Sequence, residues 1–423
     1  MGRHPRVGEI MAGQPAVASV AERQPRIGYA SGLEAGLLER ARALLPLLRR
    51  NAPLGEAQRS PTDEVVAALD DLGTWATITP RRWGGLGLPS ITLHRINREL
   101  AKGDPAVAWV HQIINGCTWI ASLTSDRLQE EIFSGSRPPR VCSSFAVACR
   151  ADVVEGGYLV SGTWPYNSGS RQSSWGQYLV TAYHPDGTVK PGNFVYIPLK
   201  ELEIGNDWQS AGIQGSSSDS TTAHKVFVPE HRFVPFERGF GYREPGKRHV
   251  GEPSDHWQLI PLIRAAGAGL IVGAVEAALE VAVETAKTRA LAGTTYARQK
   301  DSAVVQRHLG ELSAKVAVAR DLAEGLCQIL DEGALTERVF TPLERAQQKA
   351  RVSVVVEMLA AAMDRIMFVA GSSAFSRTGV LERFWRDVNV ATRHMIYIPD
   401  TGYEVLGRTV LGVEPNIIPP SAI

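Results

Sequence analysis

Cysteine is scarce: four in 423 residues (Cys117, Cys142, Cys149 and Cys327), with no C-x-x-C pair among them. That spacing excludes a disulfide framework, a zinc ribbon and a dithiol redox motif. Net charge is nearly absent as well, 45 Lys+Arg standing against 44 Asp+Glu for a formal +1. A protein made for nucleic acid or an anionic membrane usually carries a basic excess, and none is visible. No HExxH and no His/carboxylate cluster with metal spacing occurs, so no metal site is expected. A G-x-S-x-G nucleophile elbow is missing too. The opening residues, MGRHPRVGEIMAGQPAVASVAERQP, hold no apolar run of the kind a secretory signal needs. The most apolar stretch, Leu259 to Leu279, is interrupted by Arg264 and Glu276 and is rich in Ala and Gly. It reads as a buried helix rather than a membrane span. With 44% hydrophobic and 21% charged residues, the chain is expected to be a folded, reduced, cytoplasmic protein.

What is present falls into three parts. Residues 1–32 show no sustained periodicity and read as a loose tail. Residues 33–140 read as helical: Leu37, Leu38, Ala41, Leu44, Leu45 and Leu48 form a stripe, with Pro46 predicting a kink. Ser60-Pro61-Thr62-Asp63 signals a second helix start, and Gly73 its stop. From 141 to 245 the pattern changes to short β-prone runs separated by Gly, Asn, Pro and Asp turns, which predicts an antiparallel sandwich or barrel. From 246 to 423 helical periodicity returns. A stripe from Val304 to Ile329 marks one long amphipathic helix, and Thr341-Pro342-Leu343-Glu344 is a capping box opening another that stops at Gly371. Long helices with short joins predict an antiparallel bundle.

Two phosphate-binding patterns fail on physical grounds. Gly267-x-Gly269-x-x-x-Gly273 lies inside a helical segment instead of between a strand and a helix, so it predicts close helix packing. The stretch 241–247 is followed by Arg248 where a P-loop needs a metal-binding hydroxyl.

Trp164-Pro165-Tyr166-Asn167-Ser168-Gly169 ends a β-run and sets large rings beside small hydroxyl and amide groups. Such a set suits a flat heteroaromatic ligand, with Ser143-Ser144 on the preceding strand near the same edge. It equally suits an ordinary aromatic sheet face with a turn. His111 and His394 are the two histidines placed to move a proton at physiological pH, though a lone histidine is more often structural.

The order helical, β, helical bundle resembles the acyl-CoA dehydrogenase fold: α+β and mainly α, with an N-terminal helical domain, a central antiparallel β domain and a C-terminal four-helix bundle. Ile78-Thr79-Pro80-Arg81-Arg82-Trp83-Gly84-Gly85 is similar to a segment of that family's N-terminal domain. Trp208 through Ser216 with Val226-Phe227-Val228-Pro229 resembles the end of its β domain, and Gly371-Ser372-Ser373-Ala374 with Arg386-Asp387 its C-terminal segment. The dehydrogenases need a carboxylate base against the thioester substrate. Counting nine residues from Arg386 lands on Met395, and no Asp or Glu occurs from 256 to 275. Both usual places for the base are empty of acids.

A histidine in that region, with W-x-x-x-S-G, resembles instead the two-component flavin-dependent monooxygenases (group D) built on the same fold. The resemblance implies a separate reductase delivering reduced flavin, FMN first and FAD as the alternative. It implies oxygen addition at flavin C4a and transfer of one oxygen atom to an aromatic or polyketide-like small molecule. Trp164 and Ser168 then match the motif that meets the flavin ring, with Asn167 and Ser143 as further partners for its N5/O4 edge. His394 matches the C-terminal active-site histidine, His111 the substrate-side histidine, and Arg298 the arginine that reaches the flavin phosphate across a homotetramer boundary. An amino-sugar N-oxygenase acting on a nucleotide-linked sugar is the alternative within this branch, with Arg171, Arg377 and Arg393 to be weighed for its diphosphate. An acyl-CoA dehydrogenase with a displaced base is the alternative outside it.

Overall fold

The computed structural model describes residues 31–235 and 251–418. The tail expected over 1–32 lies outside them through residue 30. So do the stretch 241–247 and the last residues of the β segment expected to end at 245.

Six helices precede the sheet: α1 (Ser31–Ala43), α2 (Leu45–Gln58), α3 (Asp63–Leu72), α4 (Ser90–Ala101), α5 (Pro105–Ala121) and α6 (Asp126–Ile132). Pro46 does not kink a continuous helix. It stands in the first turn of α2, where a missing N–H costs nothing, and the chain breaks at Leu44. At the start of α3 the capping hydroxyl is Thr62, which accepts from the Val65 N–H, while Gly73 closes the helix with a left-handed φ of 75°. Asp104 caps α5 by accepting from the Ala106 and Val107 N–H groups.

Seven strands follow: β1 (Val141–Val154), β2 (Gly157–Trp164), β3 (Trp175–Tyr183), β4 (Val189–Pro198), β5 (Glu203–Ile204), β6 (Thr221–Pro229) and β7 (Phe233–Pro235). They form one sheet in the order β5-β6-β2-β1-β3-β4-β7. Five of its six pairings are antiparallel, as alternation with tight turns predicts, but β1 and β3 run parallel. The Asn167–Gln172 turn after β2 lets β3 return on the far side of β1. The β1/β3 register jumps from Ser144↔Tyr178 to Cys149↔Val180, so residues 145–148 bulge out of the ladder and leave Ala146, Val147 and Ala148 exposed. One buried cluster gathers Trp164, Tyr178, Val180, Val195 and Val228 inside the sheet. Another joins Val141, Phe194 and Tyr196 to Cys117 and Ala121 of α5.

The second helical part comprises α7 (Leu259–Thr288), α8 (Ala303–Leu335), α9 (Pro342–Ala370), α10 (Val380–Ala391) and α11 (Pro399–Val410). At 33 residues α8 is about 50 Å long. The capping box is present in both directions between Thr341 and Glu344. By length and hydropathy α7 could cross a membrane, but its apolar window is mostly buried inside the fold. One continuous apolar core runs from α1 through α5 and α7 to α10.

The glycines of α7 explain how close the two helical parts come. A Cβ on Gly269 would stand 2.2 Å from the His94 carbonyl oxygen, and one on Gly273 2.0 Å from that of Arg98, both on α4. Backbone cannot yield as a side chain can. Flanking ion pairs, Arg98–Glu276 at 2.7 Å and Arg95–Glu324 at 2.7 Å, seal the same seam. Asp331 of α8 then caps α4 from outside, accepting from the Ser90 and Ile91 N–H groups at 2.9 and 3.1 Å. Replacing Gly273 by Ala is expected to lower the unfolding free energy by roughly 1–3 kcal/mol, read from chemical denaturation.

Candidate active site

α5 carries two aromatic groups of opposite destination. Trp109 and His111 are two residues apart, about 200° around a helix, so they face opposite ways. His111 faces the N-terminal helices. Its Nδ1 lies 2.7 Å from Asn97 Oδ1, its Nε2 2.9 Å from the Thr74 carbonyl, and its ring 5.7 Å from that of Trp75. Burial pushes its pKa down to about 4. With both nitrogens engaged and no exposure, His111 is a structural histidine, which corrects the substrate-side role expected for it.

Trp109 faces the sheet. Its Nε1 donates to Ser168 Oγ at 3.0 Å, and its ring meets that of His394 edge-on at 5.2 Å. One indole thus joins three regions of the chain: α5, the turn after β2, and the segment after α10.

That turn is locally determined. Tyr166 adopts φ 59° and Gly169 φ 74°, two left-handed steps that reverse the chain, and the Gly169 N–H donates to the Ser216 carbonyl at 2.9 Å. A left-handed tyrosine is uncommon and marks a strained, functional position. Its ring is 64% exposed and stands against Trp208 at 6.1 Å. The sequence reading passed over Tyr166 in favour of Trp164, and the structure reverses them. Trp164 is wholly buried, stacked on Tyr178 at 4.4 Å, with its Nε1 donated to the Leu179 carbonyl. It belongs to the sheet core and has no surface to offer a ligand.

Asn167 is likewise turned inward. It donates to Tyr178 Oη at 2.8 Å and to Thr221 at 3.3 Å, and is fully buried. Ser143, half-buried at the foot of the bulge, donates its proton to the Gln177 carbonyl at 2.8 Å. Ser168 is the group of the motif that sits next to Trp109, and at 8% exposure it is buried less completely than Asn167. Arg298 lies apart from this row, exposed before α8 and paired with Asp301 at 3.1 Å.

His394 is held by its own turn. The Ile396 N–H donates to its Nδ1 at 3.4 Å, Tyr397 N–H donates to its carbonyl at 2.8 Å, and Arg264 Nε donates to the Ile396 carbonyl at 3.2 Å. Tyr397 in turn occupies the notch at Gly267, where a Cβ would lie 2.3 Å from its Oη. An Nδ1 that accepts leaves the proton on Nε2. Burial pushes the pKa down to about 4, so the ring is neutral at physiological pH and offers Nε2–H.

The row Ser168–Trp109–His394 therefore sets a hydroxyl and a neutral imidazole on one indole, with the exposed Tyr166 two residues before Ser168. Residues 42–135 match the acyl-CoA dehydrogenase N-terminal domain, and residues 265–399 match the acyl-CoA dehydrogenase C-terminal domain. The oxygenase subunit HsaA, a flavin-dependent monooxygenase of Mycobacterium tuberculosis, is 29% identical over 88% of this chain and 94% of its own. The solved structure of XiaF from Streptomyces sp., in complex with FADH2 and glycerol, superposes with a TM-score of 0.87 at 26% identity, over 92% of this chain and 98% of that one. The FADH2-dependent resorcinol hydroxylase oxygenase component of Rhizobium is 26% identical over 90% of this chain and 95% of its own. The chain belongs to the acyl-CoA dehydrogenase superfamily, in its flavin-dependent monooxygenase branch.

As an oxygenase of this branch it works with reduced flavin from a separate reductase. The residues present fit such a group: Ser168 supplies a hydroxyl, Tyr166 an exposed ring, and the 145–148 bulge three exposed small or apolar residues. The acids packed around the row are spent elsewhere. Asp219 pairs with Arg171 at 2.8 Å, and Asp387, pushed up to about 8 by burial, accepts from the Ile213 N–H at 2.6 Å. Imidazole NMR titration should find His394 neutral with its proton on Nε2 down to about pH 5, since a depressed pKa keeps the ring unprotonated above it.

Proposed function

We propose that this oxygenase hydroxylates a phenolic or fused aromatic small molecule, with His394 as the residue that holds a proton beside the reacting atoms. The observation that carries the reading is the contact through Trp109, which sets His394 and Ser168 on one indole. Relatives named for resorcinol, p-hydroxyphenylacetate and indole-3-acetate support an aromatic substrate. Reduced flavin, when bound, supplies the electrons that activate dioxygen. Ser168 would hold the N5/O4 edge of its ring, and Tyr166 would offer its exposed ring to it. His394 donates Nε2–H toward the oxygen side of the site. Its low pKa suits it to donation as a neutral ring rather than to service as a strong base. Trp109 and Tyr397 pack around the imidazole and keep water from it.

Neither alternative gains support from the geometry. Arg171 is taken by Asp219, and Arg393, just past α10, folds back on Asn389 of that helix, which leaves neither for a nucleotide diphosphate. The buried acids Asp219 and Asp387 already have partners, which leaves neither for a thioester. The same proposal has the enzyme work in the cytoplasm as a homotetramer, assembled through exposed apolar groups such as Val304, Val318 and Phe368. Arg298 would then reach the flavin phosphate of a neighbouring copy.

The test supplies enzymatically reduced FMN or FAD, oxygen and a panel of phenols and fused aromatics. His394→Ala is expected to lower product formation about 100-fold while flavin affinity stays within about twofold of the parent. Unchanged turnover removes His394 from the reaction. Anaerobic flavin reduction by an acyl-CoA would support dehydrogenation instead.

A further inference from the structure

Three hydroxyls stand in line behind the face that carries Ser168. Ser168 Oγ is 2.7 Å from Ser218 Oγ, which is 2.6 Å from Ser216 Oγ. On its other side Ser168 takes the indole proton of Trp109 at 3.0 Å. An indole nitrogen only donates, so Ser168 accepts there without choice.

Counting protons sets the direction of the chain. Three hydroxyls bring three protons, and the two O···O contacts use two of them. One is left, in the middle or at one end. Left at Ser218, which is buried and among the described residues meets only the other two serines, it has no acceptor. Left at Ser216, it is fully buried and meets no further partner among the described residues, an orphan donor of the kind folded proteins avoid. Left at Ser168, the least enclosed of the three at 8% against 4% for Ser218 and 0% for Ser216, it is free for a ligand to accept. The chain therefore runs Ser216→Ser218→Ser168. Ser168 accepts twice, from Trp109 and Ser218, and has one proton to give outward.

We propose that Ser218 and Ser216 are positioning residues that commit Ser168 to donate to an acceptor atom on the N5/O4 edge of the bound flavin. The proposal rests on the reading that Ser168 meets that edge. A serine without this backing could turn its proton inward and present a lone pair instead. Here both acceptor sites are filled from behind, and donors aligned in one direction strengthen the last bond of the chain. Ser168 thereby selects acceptor atoms. The C4 carbonyl oxygen is one in both redox states of flavin, and N5 is one when the ring is oxidised.

Oxidised FMN is the probe, titrated into the full-length enzyme and its variants by fluorescence. The C4=O and C4a–N5 stretches of the bound ring are followed by isotope-edited vibrational spectroscopy. Ser168→Ala is expected to weaken FMN binding about tenfold. Ser218→Ala should weaken it about fivefold and move the stretches toward their unbonded positions, with Ser168 still in place. Ser218→Thr, which keeps the hydroxyl, should restore both. Ser216→Ala should shift the bands in the same sense by less, and it carries the test if Ser218→Ala does not fold. Binding and stretches unchanged in the Ser218 and Ser216 variants, while Ser168→Ala weakens binding, overturn the proposal and leave the flavin contact standing. Unchanged binding in Ser168→Ala overturns that contact and the proposal with it.

Discussion

The indole of Trp109 is the joint on which the site depends. Its N–H reaches Ser168 in the turn after β2, and its ring edge meets His394 beyond α10. Sheet, first helical part and bundle converge on this one side chain, and none of the three holds both the hydroxyl and the imidazole. The joint is rigid because α5 is buried along nearly its whole length and capped at its start by Asp104. The hydroxyl and the imidazole, each carried on a turn, are then kept at a fixed spacing by the helix between them.

The rest of the fold holds that joint still. Gly269 and Gly273 let α7 touch the backbone of α4, and Gly267 on the same helix admits Tyr397 behind His394. Arg264, one turn earlier, fastens the Ile396 carbonyl. Packing that looks purely structural therefore also sets where the imidazole points and which nitrogen carries its proton. Burial does the electrostatic work: it holds His394 neutral and leaves the nearby acids tied to backbone or arginine partners. The same superfamily fold that elsewhere places a carboxylate against a thioester here offers a neutral donor instead.

Much of this was legible in the chain itself. Periodicity marked α8, the capping box marked α9, and the α7 glycines read correctly as packing because no strand precedes them. The parallel β1/β3 pair was not legible, because strand direction depends on a turn whose path no local pattern records. Within the 164–169 segment, residue type pointed to Trp164 ahead of Tyr166. Trp164 is the larger aromatic, but alternation along β2 turns it into the sheet, while the left-handed step at Tyr166 turns that ring out. His111 carried the right chemistry on the wrong face of α5, and a helical count from Trp109 would have separated them. Ser168 and His394 were both proposed from the sequence, yet the indole joining them was invisible there, 59 residues separating Trp109 from Ser168.

A crystal structure of the enzyme with flavin bound tests the central claim most directly. The isoalloxazine should lie with its N5/O4 edge at the Ser168 hydroxyl, the Tyr166 ring against it and His394 on its oxygen-reactive side. A ring seated elsewhere, or an aspartate or glutamate standing over its reactive nitrogen, would contradict the assignment.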